Sequence, residues 1–217
     1  MDPATRDRII ATPCDQLPAE LIREYYNSAH GVPTNLDDLR ALLPRYLDLL
    51  AQGVAVDLTE VGCALSRFGY ALRAHPDFLN HTQQQAYANW ARHLLSACCD
   101  PAQAAHHDTN PLSCVEMLLL GGVPPHEVLP HLETLLHRPT CLGLFAEAFN
   151  AAAIGRESPD LYALSLTDAA TQAAFRDWLM GPKLLDLFSD TATDPDTPFE
   201  IADPARMAAE RLLGWHG

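Results

Sequence analysis

Apolar residues recur along this chain at three- and four-residue steps, and the pattern is clearest over residues 36–53, LDDLRALLPRYLDLLAQG. Leu36, Leu39, Leu43, Leu47 and Leu50 fall on one face of a helix and make a broad apolar stripe that has to be buried. Asn35 suits the N-cap, Asp37 and Asp38 sit where the positive end of the helix favours carboxylates, and Gly53 supplies a left-handed stop. We expect this helix to be the spine around which the other segments pack. Pro44 interrupts it, because a proline inside a helix removes one backbone hydrogen bond and crowds the preceding turn, at roughly 3 kcal/mol. Two outcomes are open: one helix kinked at Pro44, or a short helix followed by a second that begins there. The caps favour one bent helix.

The other segments read as capped helices joined by short loops. Residues 1–16 form a loose or short helical arm. A helix then starts near Pro18 and Glu20, carries Leu21, Ile22, Tyr25 and Tyr26, and runs to His30 and Gly31; Val32, Pro33 and Thr34 turn the chain. Asp57 and Glu60 have the spacing of a capping box and start a helix with Val61, Leu65 and Phe68 inward. Residues 82–97 form the next, with Tyr87, Trp90 and Leu94 inward, and Asp100-Pro101 caps a short turn. Asn110-Pro111 opens a helix that Gly121-Gly122 ends, and a second Leu-Pro helix follows. Thr140 caps 141–154, with Phe145 and Phe149 inward and Gly155 as the stop; Thr167-Asp168 starts a helix to Met180; 182–188 is a further short one. Asp203-Pro204 caps the last, which docks through Met207, Leu212 and Trp215.

The sum is one all-α domain over 1–217, of about eight to ten helices in antiparallel pairs. Residues 128–136 echo 42–50, with the Leu-Pro and Leu-Leu pairs at equal offsets, which points to HEAT-like stacking. Two copies with unequal flanks are as well explained by coincidence.

Composition narrows the function classes. The net charge of −14 repels nucleic-acid phosphate and anionic lipid. No apolar run approaches a membrane span, and the start lacks the basic and apolar stretches of a signal peptide, so a soluble cytoplasmic protein is expected. The six cysteines include no pair with the two-residue gap of a zinc knuckle or redox site and read as small buried hydrophobes. The one compositional change is at 189–203, expected to be an exposed loop: residues 186–203 hold six acids, no base, and prolines at 195 and 198.

Candidate chemistry is sparse. His126-Glu127 and His131 resemble the zinc-protease pattern, but the histidines are five apart and about 140° around the helix, on different faces. His106-His107-Asp108 resembles the paired His-Asp of HD-type metal phosphohydrolases, with His81 or His93 and Asp160 or Asp168 as further ligands; Thr109-Asn110-Pro111 places the pair in a loop rather than a helix. Asp190, Asp194 and Asp196 miss the alternating spacing of a calcium loop. Gly121-Gly122 lacks a following phosphate-binding Lys, and Ser66 and Ser165 lack the glycine-flanked nucleophile setting. No cofactor is implied.

Asp38-Leu39-Arg40, Leu43-Pro44-Arg45-Tyr46-Leu47-Asp48-Leu49, and downstream Leu65, Arg67 and Trp90 together resemble a recurrent pattern in uncharacterised bacterial all-helical proteins over roughly the first hundred residues. That resemblance implies a helical fold and brings no activity with it. The expected role is therefore binding of another protein, for example as an immunity protein neutralising a basic toxin, through Asp186, Asp190, Asp194, Asp196, Glu200 and Asp203. The alternatives are an HD-like metal-dependent phosphohydrolase and a helical-repeat scaffold or adaptor.

Overall fold

A computed structural model describes residues 3–28, 35–56, 61–107, 109–154 and 161–216, and among these every regular element is a helix. In chain order they are α1 (Pro3–Ala11), α2 (Ala19–Ser28), α3 (Leu36–Ala51), α4 (Ser66–Ala74), α5 (His81–Cys98), α6 (Pro101–His107) and α7 (Pro111–Leu120). Then follow α8 (Pro125–Leu136), α9 (Pro139–Ala152), α10 (Tyr162–Ser165), α11 (Ala169–Leu179), α12 (Pro182–Thr193) and α13 (Phe199–His216). Short 3-10 turns occupy Cys14–Gln16 and Val61–Cys63. The count exceeds the expected eight to ten because α1, α6 and the single turn α10 are too short to carry a readable apolar period. No helix among the described residues is long and apolar enough to cross a membrane.

Local chemistry sets most boundaries. The Asn35 side chain accepts from the Asp37 backbone at 3.0 Å, and α3 runs unbroken through Pro44. It ends in a Schellman turn: Val54 N–H donates to the Leu49 carbonyl at 2.9 Å, Gly53 N–H to Leu50 at 3.0 Å, and Gly53 takes φ +71°. The end of α7 repeats this, with Val123 donating to Leu118, Gly122 to Leu119, and Gly122 at φ +84°. Asn80 and Gln83 form a reciprocal capping box on α5, and Asn110 caps α7 through Ser113 N–H at 2.8 Å.

The spine, however, is α7 and not α3. All of Pro111 and Leu112, and everything from Cys114 to Leu120, is buried, including Glu116, and α4, α5, α8, α9 and α10 all pack against it. A helix apolar on every side belongs inside the molecule, whereas α3 keeps Asp37, Asp38, Ala41, Pro44 and Asp48 exposed. Packing against α7 is close: a Cβ on Gly69 of α4 would run into the Leu120 carbonyl. One buried apolar cluster extends from Leu17 to Leu212, with Cys63, Leu120 and Ala163 as a small satellite. Helix α8 packs on α5 and α11, and α13 on α9, so contacts reach beyond the next pair, unlike a stack in which each repeat touches only its neighbour.

Several boundaries differ from expectation. The helix after residue 57 begins only at Ser66, after a 3-10 turn; Asp57–Glu60, like His30–Thr34, Asp108, Gly155 and Asp160, lie outside the described residues. Helix α9 starts at Pro139 with Arg138 as N-cap, not at Thr140, because proline fits the first helical position. The anticipated acidic loop at 189–203 is mostly helix: α12 continues to Thr193, and α13 begins at Phe199 with Pro204 inside it. The cause is a stripe of Ile201, Ala205, Ala208, Ala209, Leu212 and Trp215, whose small residues let α13 lie close on α9. Across that interface Asn150 Nδ2 donates to the Pro204 carbonyl at 2.8 Å and Arg211 to the Ala153 carbonyl at 3.2 Å. Met207 stays exposed, while Leu212 is buried and Trp215 lies 5.5 Å from Phe149.

Candidate functional site

The six acids expected to face a partner lie on the hairpin made by α12, α13 and their connection at 194–198. Asp186, Asp190, Asp194, Asp196 and Glu200 are exposed and Asp203 is half-buried. Four-residue spacing puts Asp186, Asp190 and Asp194 on one side of α12. This arrangement works against the helix: like charges four apart repel, and carboxylates in the last turn meet the negative end of the macrodipole. Asp194 has a structural task as well, since its carboxylate accepts from Asp196 N–H at 3.0 Å and from the Thr197 hydroxyl at 3.1 Å, closing the connection.

Beyond that turn stands Phe199, 79% exposed, at the first position of α13 beside Glu200. Along the same helix, Met207 and Leu213 are also exposed, and the three fall within about 120° of arc at 100° per residue. On this face Arg206 is held by Asp203 at 2.6 Å and Glu210 at 2.7 Å, which raises its already high pKa further, while Arg211 turns to the Ala153 carbonyl. The outer face of α13 therefore presents apolar side chains among carboxylates, with Arg206 already paired. Sequence reading found the acids and missed Phe199. The signal was there in Thr197-Pro198-Phe199-Glu200, a large aromatic in an otherwise polar stretch with no apolar partner before Ile201.

The other motifs resolve into structural roles. His131 is half-buried, with Nε2 at 2.9 Å from Ser96 Oγ and 3.1 Å from the Arg92 carbonyl. Because the one Ser96 hydroxyl proton goes to that same carbonyl, Nε2 carries the hydrogen. Burial holds the His131 pKa below its usual value. His126 is exposed and Glu127 is paired with Arg92 at 2.7 Å, so the zinc-protease pattern does not converge. His106 and His107 end α6, a helix where a loop was expected, with rings 5.7 Å apart. Asp168 caps α11, accepting from Thr171 N–H at 2.9 Å, a bond that lowers its pKa; His93 Nδ1 sits 2.7 Å from the Asn89 carbonyl. Among the described residues no three His, Cys, Asp or Glu side chains are placed to share a metal ion.

All six cysteines are free thiols, and all but Cys14 are buried. Four of them meet in pairs that their sequence positions do not announce. Cys114 lies beside Cys98 and Cys99 beside Cys141; the neighbouring thiol and burial push Cys114 and Cys99 away from the thiolate form, while Cys99 lowers the pKa of the buried Cys141.

Comparison of the chain with protein-family models, with curated proteins and with solved structures finds no match.

Proposed function

We propose that this chain is a non-enzymatic protein-binding module that holds a basic partner protein on the α12–α13 hairpin, in the manner of an immunity protein neutralising a basic toxin. The observation that carries the reading is Phe199, 79% exposed, with the exposed Asp194, Asp196 and Glu200 within five residues of it in the chain. An aromatic anchor within a charged rim is how protein interfaces are built. Supporting it, Asp190 sits in the last turn of α12, where the helix dipole disfavours a carboxylate, and a basic partner would offset that cost. A net charge of −14 adds long-range steering towards a positive surface.

The test is a photoreactive phenylalanine at position 199 in the source cell. Expected is one crosslinked basic protein whose complex with the purified chain weakens about tenfold with Phe199→Ala and again with added salt, and whose growth inhibition this chain relieves. A crosslinked protein that is acidic, or binding unchanged in both Phe199→Ala and a combined Asp190→Asn, Asp196→Asn, Glu200→Gln variant, overturns the reading.

A further inference from the structure

The end of α4, the first two turns of α5 and the start of α8 line a half-open cleft of about 510 Å³. Small-molecule sites run from about 300 to 1,000 Å³. The apolar part of the wall is Leu72, Pro76, Ala88 and Pro124 together with Leu79 and Val123, the last two buried against the core. The floor is rigid, because Tyr87 is buried and its hydroxyl donates to the Gly121 carbonyl at 3.0 Å.

The polar part of the wall holds one carboxylate, Glu127, and Arg92 already neutralises it at 2.7 Å. The cation in the lining is Arg73, an exposed side chain whose Nη1 donates to the Leu120 carbonyl at 3.2 Å and whose charge also reaches the Asp168 carboxylate outside the cleft. That bond uses one of the five guanidinium donors. His81 and His126 add imidazole donors from α5 and α8. A recess that offers a guanidinium, with its one lining carboxylate already paired to Arg92, favours an anionic ligand, opposite in charge to the partner at the hairpin.

We infer that this cleft binds a small organic acid, with its carboxylate on the Arg73 guanidinium and an apolar body about the size of a phenyl ring against Leu72, Leu79 and Val123. Guanidinium and carboxylate match in geometry and charge, which makes such a contact stronger than a neutral hydrogen bond. The inference is independent of the hairpin, and neither stands or falls with the other.

Calorimetric and NMR titration of the full chain with benzoate, phenylacetate and hexanoate tests it, with benzamide and inorganic phosphate as controls. Expected is saturable binding of at least one of the three acids, with amide resonances of α4, α5 and α8 shifting. Benzamide and the Arg73→Gln variant should each weaken it about tenfold. Ala88→Phe, which fills the recess from α5, should abolish it while leaving the far-ultraviolet circular dichroism unchanged. Absence of saturable binding by all three acids overturns the inference. So does benzamide or phosphate binding as tightly as the acids, or an Ala88→Phe protein that binds like the parent; the last keeps the test sound if Arg73→Gln disturbs the end of α7.

Discussion

Two aromatic cores lie at opposite ends of the chain and are held together differently. In the first, Tyr26, Tyr46 and Phe68 join α2, α3 and α4, with ring centroids 4.9 to 5.9 Å apart. It is laced with directional bonds: the Tyr46 hydroxyl donates to the Ala64 carbonyl at 2.5 Å, and Arg67 lies 4.7 Å over the Tyr26 ring while donating to the Tyr26 carbonyl. In the second, Phe145, Phe149, Phe188, Trp178 and Trp215 join α9, α11, α12 and α13 at 5.5 to 6.4 Å, and the rings meet one another and the alanines of α13. The first core has many partners fixed at specific atoms. In the second the rings themselves meet by volume and shape, and the directional bonds, from Asn150 and Arg211, lie outside the ring cluster. That difference explains why α12 and α13, whose charges and prolines argue for a loop, still fold as a helical hairpin.

The contrast can be broken from either side. Removing volume from the second core should have the largest effect: Phe149→Ala, at a fully buried site, is expected to cost about 3–5 kcal/mol in urea unfolding, because the rings around it cannot close the cavity. In the first core the atom that matters is an oxygen. Tyr46→Phe keeps the ring and orphans the Ala64 carbonyl, at an expected cost of about 1–3 kcal/mol. A third change sits between the two regions, on α8. Burial lowers the His131 pKa in the folded chain, so the unfolded chain takes up its proton first. Stability should be full above the unfolded value of about 6.5 and fall as pH drops below it towards the folded value. His131→Gln should flatten that part of a thermal-melt pH series. The smallest effect belongs to Phe199→Ala, which should change stability by less than about 0.5 kcal/mol, since the ring packs on little. A large loss there would mean that Phe199 belongs to the second core rather than to a partner.

What could be read from residues alone follows the same division. Helix α3 was legible at both ends because Asn35 and Gly53 are specific to their positions and its leucines leave a polar face. Helix α7 was found and its rank missed: with Leu112, Cys114, Val115, Met117, Leu118, Leu119 and Leu120 inward, it has no stripe to mark a direction, and only the fold shows that every side is covered. The hairpin was misread because alanines at 205, 208 and 209 do the packing that a search for large apolar residues overlooks, while Asp203-Pro204 imitates a helix start. Of the candidate surface, the acids were visible as composition. The exposure of Phe199 among them, and the meeting of Arg73 with residues of α5 and α8 in one cleft, are properties of the folded chain and have no counterpart in linear order.

The distribution of thiols has a practical corollary. Cys14 is half-exposed at the start of a 3-10 turn, its Sγ 2.9 Å from the Ala41 carbonyl, while the other five are sealed in the interior. A maleimide dye should accordingly attach at one place on the native molecule and at six once it is denatured, giving an internal gauge of how often the interior opens.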